Sequence, residues 1–346
     1  MSTKKRMIQV GCGGFGEYWL GVIIPRVKPF AELVAAVDVN PEALENAKKA
    51  GLSPDKCYTD LKKALAENKA DFVNVVVPMY LHETIIDEAI DAGLDIICEK
   101  PLGHNMESCA RIYRKVKAAG RKLAVTMSHR FEVEKQTVEE MVKSGDYGKV
   151  NYIVSRLTMK RSMERNSDSS PESIISNALI HNLDTIRGIC GCNAKTVYAN
   201  AWLSQPEISP APSALVILEM ENGTRAVLEE SFANGSGLDG WSDEYLRAEC
   251  TYATIIADHR KITVQSEMGY PYPKSAQMPL LERDYWDHSL IIQKFTEWLD
   301  GGEAPVTQVE ENIYCCALTF AAIESVKIGK TVDIPEFLKA HMEESF

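Results

Sequence analysis

Three glycines and one aspartate carry the most explicit chemistry in this chain. Val10-Gly11-Cys12-Gly13-Gly14-Phe15-Gly16 joins a short apolar run, Met7–Val10, to a helical pattern that opens at Phe15. Gly11 permits the tight turn, Gly13 lets the backbone approach a diphosphate, and Gly16 allows close packing of helix on strand. Free N–H groups and the positive end of the helix dipole then favour the anion. Glycine-rich turns alone are common. Here a second strand-like run, Glu32–Asp38, ends in a carboxylate 22 positions beyond Gly16, the spacing at which an acidic side chain meets the adenosine ribose. The combination predicts a dinucleotide site built from Gly11, Cys12, Gly13, Phe15, Gly16 and Asp38. A carboxylate at that point repels a 2′-phosphate, and Val39, Asn40 and Pro41 offer no arginine to bind one. NAD is therefore expected over NADP.

A second chemical candidate is the lysine of Ile97-Cys98-Glu99-Lys100-Pro101, at the end of a later strand-like run. Ligands of open α/β sheets bind beyond the carboxyl ends of the strands, which turns Lys100 toward the nicotinamide side of the crevice. A lysine there hydrogen-bonds a substrate hydroxyl, and partial burial lowers its pKa toward use. A solvated lysine at a strand exit fits the position equally. The nine cysteines are scattered, odd in number and without CxxC spacing. They read as buried free thiols, and no metal site is expected.

The elements that position these groups follow from periodicity. Strand-like runs at Met7–Val10, Glu32–Asp38, Phe72–Val77, Asp95–Cys98 and Lys122–Thr126 alternate with helical patterns at Phe15–Val27, Pro41–Ala50, Asp60–Asn68, His82–Ala92 and Met106–Ala119. Continuous apolar strands in βαβ order predict a doubly wound parallel sheet, the Rossmann arrangement. After about residue 128 the pattern changes to a helix near Glu132–Ser144, a strand from Lys149 and a helix at Pro171–Ile189. Six further strands follow between Thr196 and Gln265, and helices return at His288–Leu299 and Val309–Ile328. Glu221-Asn222-Gly223-Thr224 marks a hairpin, because Asn-Gly accepts positive φ. The expectation is an NAD-binding Rossmann domain over residues 1–128 and an α+β domain over 129–346 with a large, mostly antiparallel open sheet, its last helices packing back on the first domain.

Composition narrows the function classes. With 346 residues, 45% hydrophobic and 25% charged, the chain has apolar material for two cores. A net charge of -11 repels polyanions and anionic membranes, which argues against nucleic acid and lipid as partners. No apolar export region follows the basic N-terminus and no run is long enough to span a bilayer, so a cytoplasmic location is expected.

Motifs along the whole chain, in order, resemble the glucose–fructose oxidoreductase / inositol dehydrogenase / MocA (Gfo/Idh/MocA) family. They are Val77-Pro78-Met79-Tyr80-Leu81-His82, Glu99-Lys100-Pro101, Arg130-Phe131, Ser144-Gly145-Asp146-Tyr147-Gly148-Lys149-Val150, His181-Asn182-Leu183-Asp184, Ala304-Pro305-Val306-Thr307 and Ser325-Val326-Lys327-Ile328-Gly329-Lys330. The resemblance implies hydride transfer to or from a ring carbon of a sugar, sugar derivative or cyclic polyol. It also implies assembly as a homodimer or homotetramer. Lys100 and His181 become the catalytic pair, with His181 as general base in oxidation and general acid in reduction. Val77, Pro78, His82, Glu99 and Lys100 become cofactor contacts, and Asn177, Asp184 and Arg130 substrate contacts. The family pattern Asp-x-Gly-x-His-x-x-Asp reads here with Asn177 for the first aspartate and Leu179 for the glycine. Asn177 still hydrogen-bonds a sugar, but it cannot stabilise an imidazolium, and Asp184 is the remaining carboxylate on that helix face. Without the resemblance, His181 reads as a core histidine.

Two other readings share the architecture. One is a redox-neutral glycosidase or epimerase in which NAD oxidises a ring carbon only transiently; the other is a non-catalytic NAD-binding regulator. Lower in weight are an arginine of Lys160–Arg165 pairing with an anionic substrate group, the Ala233–Trp241 loop covering a site, and Trp241, Tyr285 or Trp286 stacking on a sugar ring.

Overall fold

The computed structural model describes residues 4–161, 170–204, 211–266 and 274–343. It divides into two compact units: Met1–Met127 with Tyr285–Cys316, and Ser128–Asp284 with Ala317–Phe346.

In the first unit, β1 (Lys5–Val10), β2 (Ala31–Val37), β3 (Cys57–Tyr58), β4 (Phe72–Val75), β5 (Asp95–Cys98) and β6 (Leu123–Val125) form a parallel sheet in the order β3-β2-β1-β4-β5-β6. The order reverses between β1 and β4, which makes their carboxyl ends the crevice where such sheets bind ligands. Both faces are covered, as apolar strands such as Phe72–Val75 require. Ile292 and Phe295 from the helix Asp287–Leu299 complete one core cluster with Trp19, Leu20, Val27 and Phe72. The two-residue β3 was not anticipated, since so short a segment carries no periodicity.

The helix that opens at the glycine loop is not uniformly α. It runs as Phe15–Tyr18, a π segment Trp19–Ile23, and Ile24–Val27. Pro25 has no N–H to give a carbonyl four residues back and its ring crowds that carbonyl; the wider π turn just before it relieves the conflict.

The second unit is built on β7 (Val150–Thr158), β8 (Ala194–Ser204), β9 (Ala211–Met220), β10 (Arg225–Ser231), β11 (Tyr245–Cys250), β12 (Ala253–Asp258), β13 (Lys261–Ser266), β14 (Lys274–Met278) and β15 (Val332–Asp333). Their order is β14-β13-β12-β11-β7-β10-β9-β8-β15, antiparallel except where β7 meets β10. The hairpin between β9 and β10 turns at Gly223 (φ 90°), and Asn222 Oδ1 accepts the Thr224 N–H at 3.0 Å. Along β9, Val216, Leu218 and Met220 are buried while Leu215 and Ile217 point outward and stay exposed.

One sheet face carries the helices Val133–Lys143 and Ile180–Cys190. The single helix expected at Pro171–Ile189 is instead a π segment, Ile175–Leu179, running into the α-helix Ile180–Cys190. β14, β15 and the helix Ile334–Glu343 were not foreseen. Among the described residues no helix is long and apolar enough to cross a membrane.

Candidate active site

The glycine loop is shaped by close contact. A Cβ on Gly11 would lie 1.9 Å from the Val76 carbonyl oxygen, and one on Gly16 would lie 2.3 Å from the Gly11 carbonyl oxygen. At Gly13 a Cβ would have only the Ala43 Cβ, at 3.5 Å, in reach. Two of the glycines thus serve internal packing and the third leaves the loop's outer side open, the cradle a diphosphate needs. Gln9, buried in β1, clamps the loop by donating its amide N–H groups to the carbonyls of Gly11 (2.9 Å) and Gly16 (3.1 Å). Asp38, just past β2, accepts the Cys12 N–H through Oδ2 and the Asn40 N–H through Oδ1, both at 2.8 Å. Each oxygen keeps a lone pair for a ribose hydroxyl. Asn46 donates to the Cys12 carbonyl at 3.0 Å. The Cys12 side chain is itself buried, its thiol pushed up to about 12 by burial, and its N–H and carbonyl are engaged by Asp38 and Asn46. Phe15 is exposed and stacks on Tyr18 at 5.5 Å. These residues fit a dinucleotide.

The exits of β4 and β5 are cross-braced. His82 is buried, with Nε2 3.0 Å from the Val77 carbonyl oxygen and Nδ1 3.0 Å from that of Pro101. Burial pushes its pKa down. A ring bonded on both sides to its own chain is a brace between two loops; Pro78 is exposed and Val77 half-buried. Glu99 is likewise buried. Its Oε1 accepts the Trp19 indole N–H at 2.8 Å, its Oε2 accepts the Lys100 N–H at 3.2 Å, and His288 Nε2 lies 3.7 Å from Oε1. Glu99 thereby ties the half-buried Lys100, followed by a cis peptide to Pro101, to the helix that opens at the glycine loop. His288 also meets Trp19 edge-on at 5.4 Å and Phe15 at 5.8 Å, and burial lowers its pKa. Tyr285 packs edge-on against Phe30, so it serves the first unit's packing.

In the second unit His181 lies on Ile180–Cys190, buried, its ring stacked on that of His129 with centroids 4.2 Å apart and planes at 17°. Trp241 stands edge-on to both rings, at 4.9 and 5.8 Å. The loop bearing Trp241 is fixed rather than loose. Asp239 accepts two hydrogen bonds from Arg156 (3.0 and 2.8 Å) and one from the Thr158 N–H (2.8 Å). Arg161 lies over Trp241 at 5.3 Å; residues 162–165 of the basic segment lie outside the described residues. Asn177, in the π segment, is half-buried.

Arg130 and Asp184 come together, but with each other. Arg130 Nη1 is 3.6 Å from Asp184 Oδ1 and its Nε 3.7 Å from Glu139 Oε2, while Arg187 Nη1 donates to Asp184 Oδ1 at 2.8 Å. Asp184 is 2% exposed. Its charge is matched by two arginines inside the unit, and these pairs brace the His181 helix. Gly188 makes room for this pair: a Cβ there would lie 2.6 Å from Arg130 Nε.

Sequence reasoning passed over Gln9, Asn46, His129, Glu244 and His288. Gln9 left a trace, as the polar residue in the otherwise apolar run Met7–Val10. The partners of His129 and His288 are far away in sequence and left none. Among the described residues no three His, Cys, Asp or Glu side chains are grouped to hold a metal ion, and all nine cysteines are free thiols.

Comparison with known proteins adds to this geometry. The sequence model of an oxidoreductase family with an NAD-binding Rossmann fold matches residues 5–127. That of the GFO/IDH/MocA C-terminal domain matches residues 136–255. An uncharacterized protein of Sinorhizobium fredii is 34% identical over 97% of this chain and 97% of its own length. Inositol 2-dehydrogenase of Corynebacterium glutamicum is 28% identical over 88% of this chain and 97% of its own. A solved oxidoreductase from Agrobacterium radiobacter, in complex with NAD+, L-tartaric acid and magnesium, shares the fold with a TM-score of 0.82 at 22% identity, over 96% of this chain and 99% of that one.

Proposed function

Because the chain belongs to the Gfo/Idh/MocA family of NAD-binding oxidoreductases, we propose that it oxidises or reduces one ring carbon of a sugar, sugar derivative or cyclic polyol, with NAD(H) preferred over NADP(H). In this reading Lys100 holds the reacting oxygen and His181 exchanges its proton. The observation that carries it is Glu99, which couples the Lys100 backbone to the helix of the glycine loop through Trp19. That link braces the Lys100 backbone against the helix that follows the glycine loop, which supports a fixed rather than a loose lysine at this strand exit. The similarity to an inositol 2-dehydrogenase supports the substrate class.

The loop at Gly13 and the carboxylate of Asp38 would hold the dinucleotide, with Gly11, Cys12 and Gly16 shaping the loop and Pro78 and Val77 at the nicotinamide end. Bound NAD supplies a hydride acceptor, and NADH a donor. The protein's own part is to hold and move a proton. Lys100, as an ammonium, donates to the substrate oxygen and steadies negative charge as it grows there. His181 takes the hydroxyl proton in oxidation and returns it in reduction, a role worth about 10²–10⁴-fold. Asp38 meets the ribose, and its charge disfavours NADP. Leu215 and Ile217, apolar and outward on β9, support assembly of copies through that sheet.

The test is NADH formation by the purified protein against inositols, aldoses, anhydrosugars and uronic acids, with products followed by mass spectrometry. Lys100→Ala should lower turnover by at least about two orders of magnitude while NAD still binds; near-normal activity in that variant overturns the assignment. Substrate consumed without NADH would make the enzyme redox-neutral.

A further inference from the structure

His129 carries no motif, yet it is the residue most intimately joined to His181. Both are buried and their rings stack at 4.2 Å. On its other side His129 Nδ1 lies 2.8 Å from Glu244 Oε1, and Nε2 lies 3.4 Å from Ser242 Oγ. Glu244 Oε2 accepts from Lys135 Nζ at 2.7 Å, and Lys135 also donates to Glu134 Oε1 at 2.9 Å. Four buried groups thus form a chain, His129–Glu244–Lys135–Glu134.

We infer that His129 holds a positive charge in this chain and so keeps the stacked His181 neutral, a positioning role that rests on the reading of His181 as the acid/base group. The charges decide it. Glu244 and Glu134 bring two negative charges and Lys135 one positive, which leaves one buried negative charge to be matched. Glu132, at the start of the Lys135 helix, adds little, because burial pushes it up to about 7 and Arg260 lies 3.2 Å from its Oε2. On the side of the His181 helix, Arg130 and Arg187 face Asp184 and Glu139, and the half-exposed Lys143 also pairs with Glu139, so that side offers no anion to spare. Arg161 stands outside Trp241, exposed. The remaining cation is supplied by an imidazolium at His129, 2.8 Å from a carboxylate. Burial alone would raise the Glu244 carboxyl, yet Lys135 and His129 hold it well below the usual carboxylate range.

A second proton on this ring stack meets a like charge at 4.2 Å. Between the dielectric of water and that of a protein surface, such repulsion disfavours protonation by roughly five- to a thousandfold. His181 is then deprotonated and ready to accept a substrate proton well below pH 6.5, the ordinary imidazole value. Once protonated it is also a stronger acid than a lone histidine, which favours giving the proton back.

The test is histidine-resolved NMR of the full chain bound to NAD, titrated from pH 5 to 9, on the wild type and on His129→Gln and Glu244→Gln. In the wild type His129 should remain protonated at pH 8 and His181 should titrate below pH 6. In His129→Gln the His181 titration should rise by about one pH unit, a tenfold change. In Glu244→Gln the His129 titration should fall. A wild-type His129 that is neutral at pH 7 overturns the inference, as does a His181 titration unmoved by His129→Gln. If neither variant folds, the wild-type titrations still decide. Ring titration needs no turnover, so this failure is distinct from that of the His181 assignment, which normal turnover by His181→Asn would expose.

Discussion

Asp38→Asn tests the nucleotide site with a change of one atom. The two carboxylate oxygens each accept a backbone N–H at 2.8 Å, from Cys12 and from Asn40. In the amide one of them becomes an NH2 and cannot accept, so a loop N–H loses its partner and the ribose loses an anionic acceptor. A hydrogen bond to a charged group contributes about 1.5–3 kcal/mol, so NAD should weaken by about 10- to 150-fold. NADP should move the other way. Its 2′-phosphate carries a charge of about −1.5 to −2, and unit charges about 4 Å apart in water repel by about 1 kcal/mol. Removing the carboxylate charge therefore relieves roughly 1.5–2 kcal/mol, or about 10- to 30-fold. The preference for NAD should narrow by at least about two orders of magnitude. Fluorescence titration with NADH and NADPH reads both affinities on the same samples. An unchanged ratio would refute the contact between Asp38 and the ribose, whatever happened to stability.

Two further outcomes concern the second unit. Glu132 has its pKa raised from 4.5 to about 7, chiefly by burial, so the folded protein keeps a proton that the unfolded chain has released. Its contribution to stability therefore falls as pH climbs from about 4.5 to 7, by roughly 3 kcal/mol in all. Glu132→Gln removes that dependence: its Tm relative to wild type should climb steadily from pH 4.5 to 8, and a constant difference would show that the carboxyl ionises normally. Gly188→Ala puts a methyl 2.6 Å from Arg130 Nε and 2.8 Å from Glu139 Oε2. Forcing that buried pair apart should cost about 1–3 kcal/mol, read as a lowered Tm; an unshifted Tm would mean that the helix slides to make room.

The parts of the fold governed by local pattern were open to reading from sequence. The βαβ alternation up to Thr126, the glycine loop and the Asn222-Gly223 turn all rest on residues close to one another. The helix Val309–Ile328 was read to the residue for the same reason. Elements defined by a distant partner were hidden: β15 exists because Val332 and Asp333 pair with Val197 and Thr196, and β3 because Cys57 and Tyr58 pair with Ala36 and Val37. At the candidate site the same division holds. Lys100, Asp38 and His181 stand in motifs, whereas the pairing of Arg130 with Asp184 shows only in three dimensions. Helical spacing puts Asp184 on the face of His181, but it does not say which arginines already surround it. His129 stood beside Arg130 in the sequence and went unremarked, since its partner Glu244 is 115 residues away.

The discontinuity of the first unit also sets an order of events during synthesis. Phe295 closes on Phe72 with ring centroids 5.3 Å apart, and Lys122 reaches the Trp298 carbonyl. Neither contact can form until residues 128–284 have been made, which takes on the order of 10–30 s at about 5–20 residues per second. For that time the nascent Rossmann sheet has Phe72, Trp19 and Val27 short of their covering helix. The unit that begins first on the ribosome must therefore wait for most of the other to be made, and a stalled or truncated chain ending before Tyr285 would expose an apolar sheet face to aggregation and to chaperones.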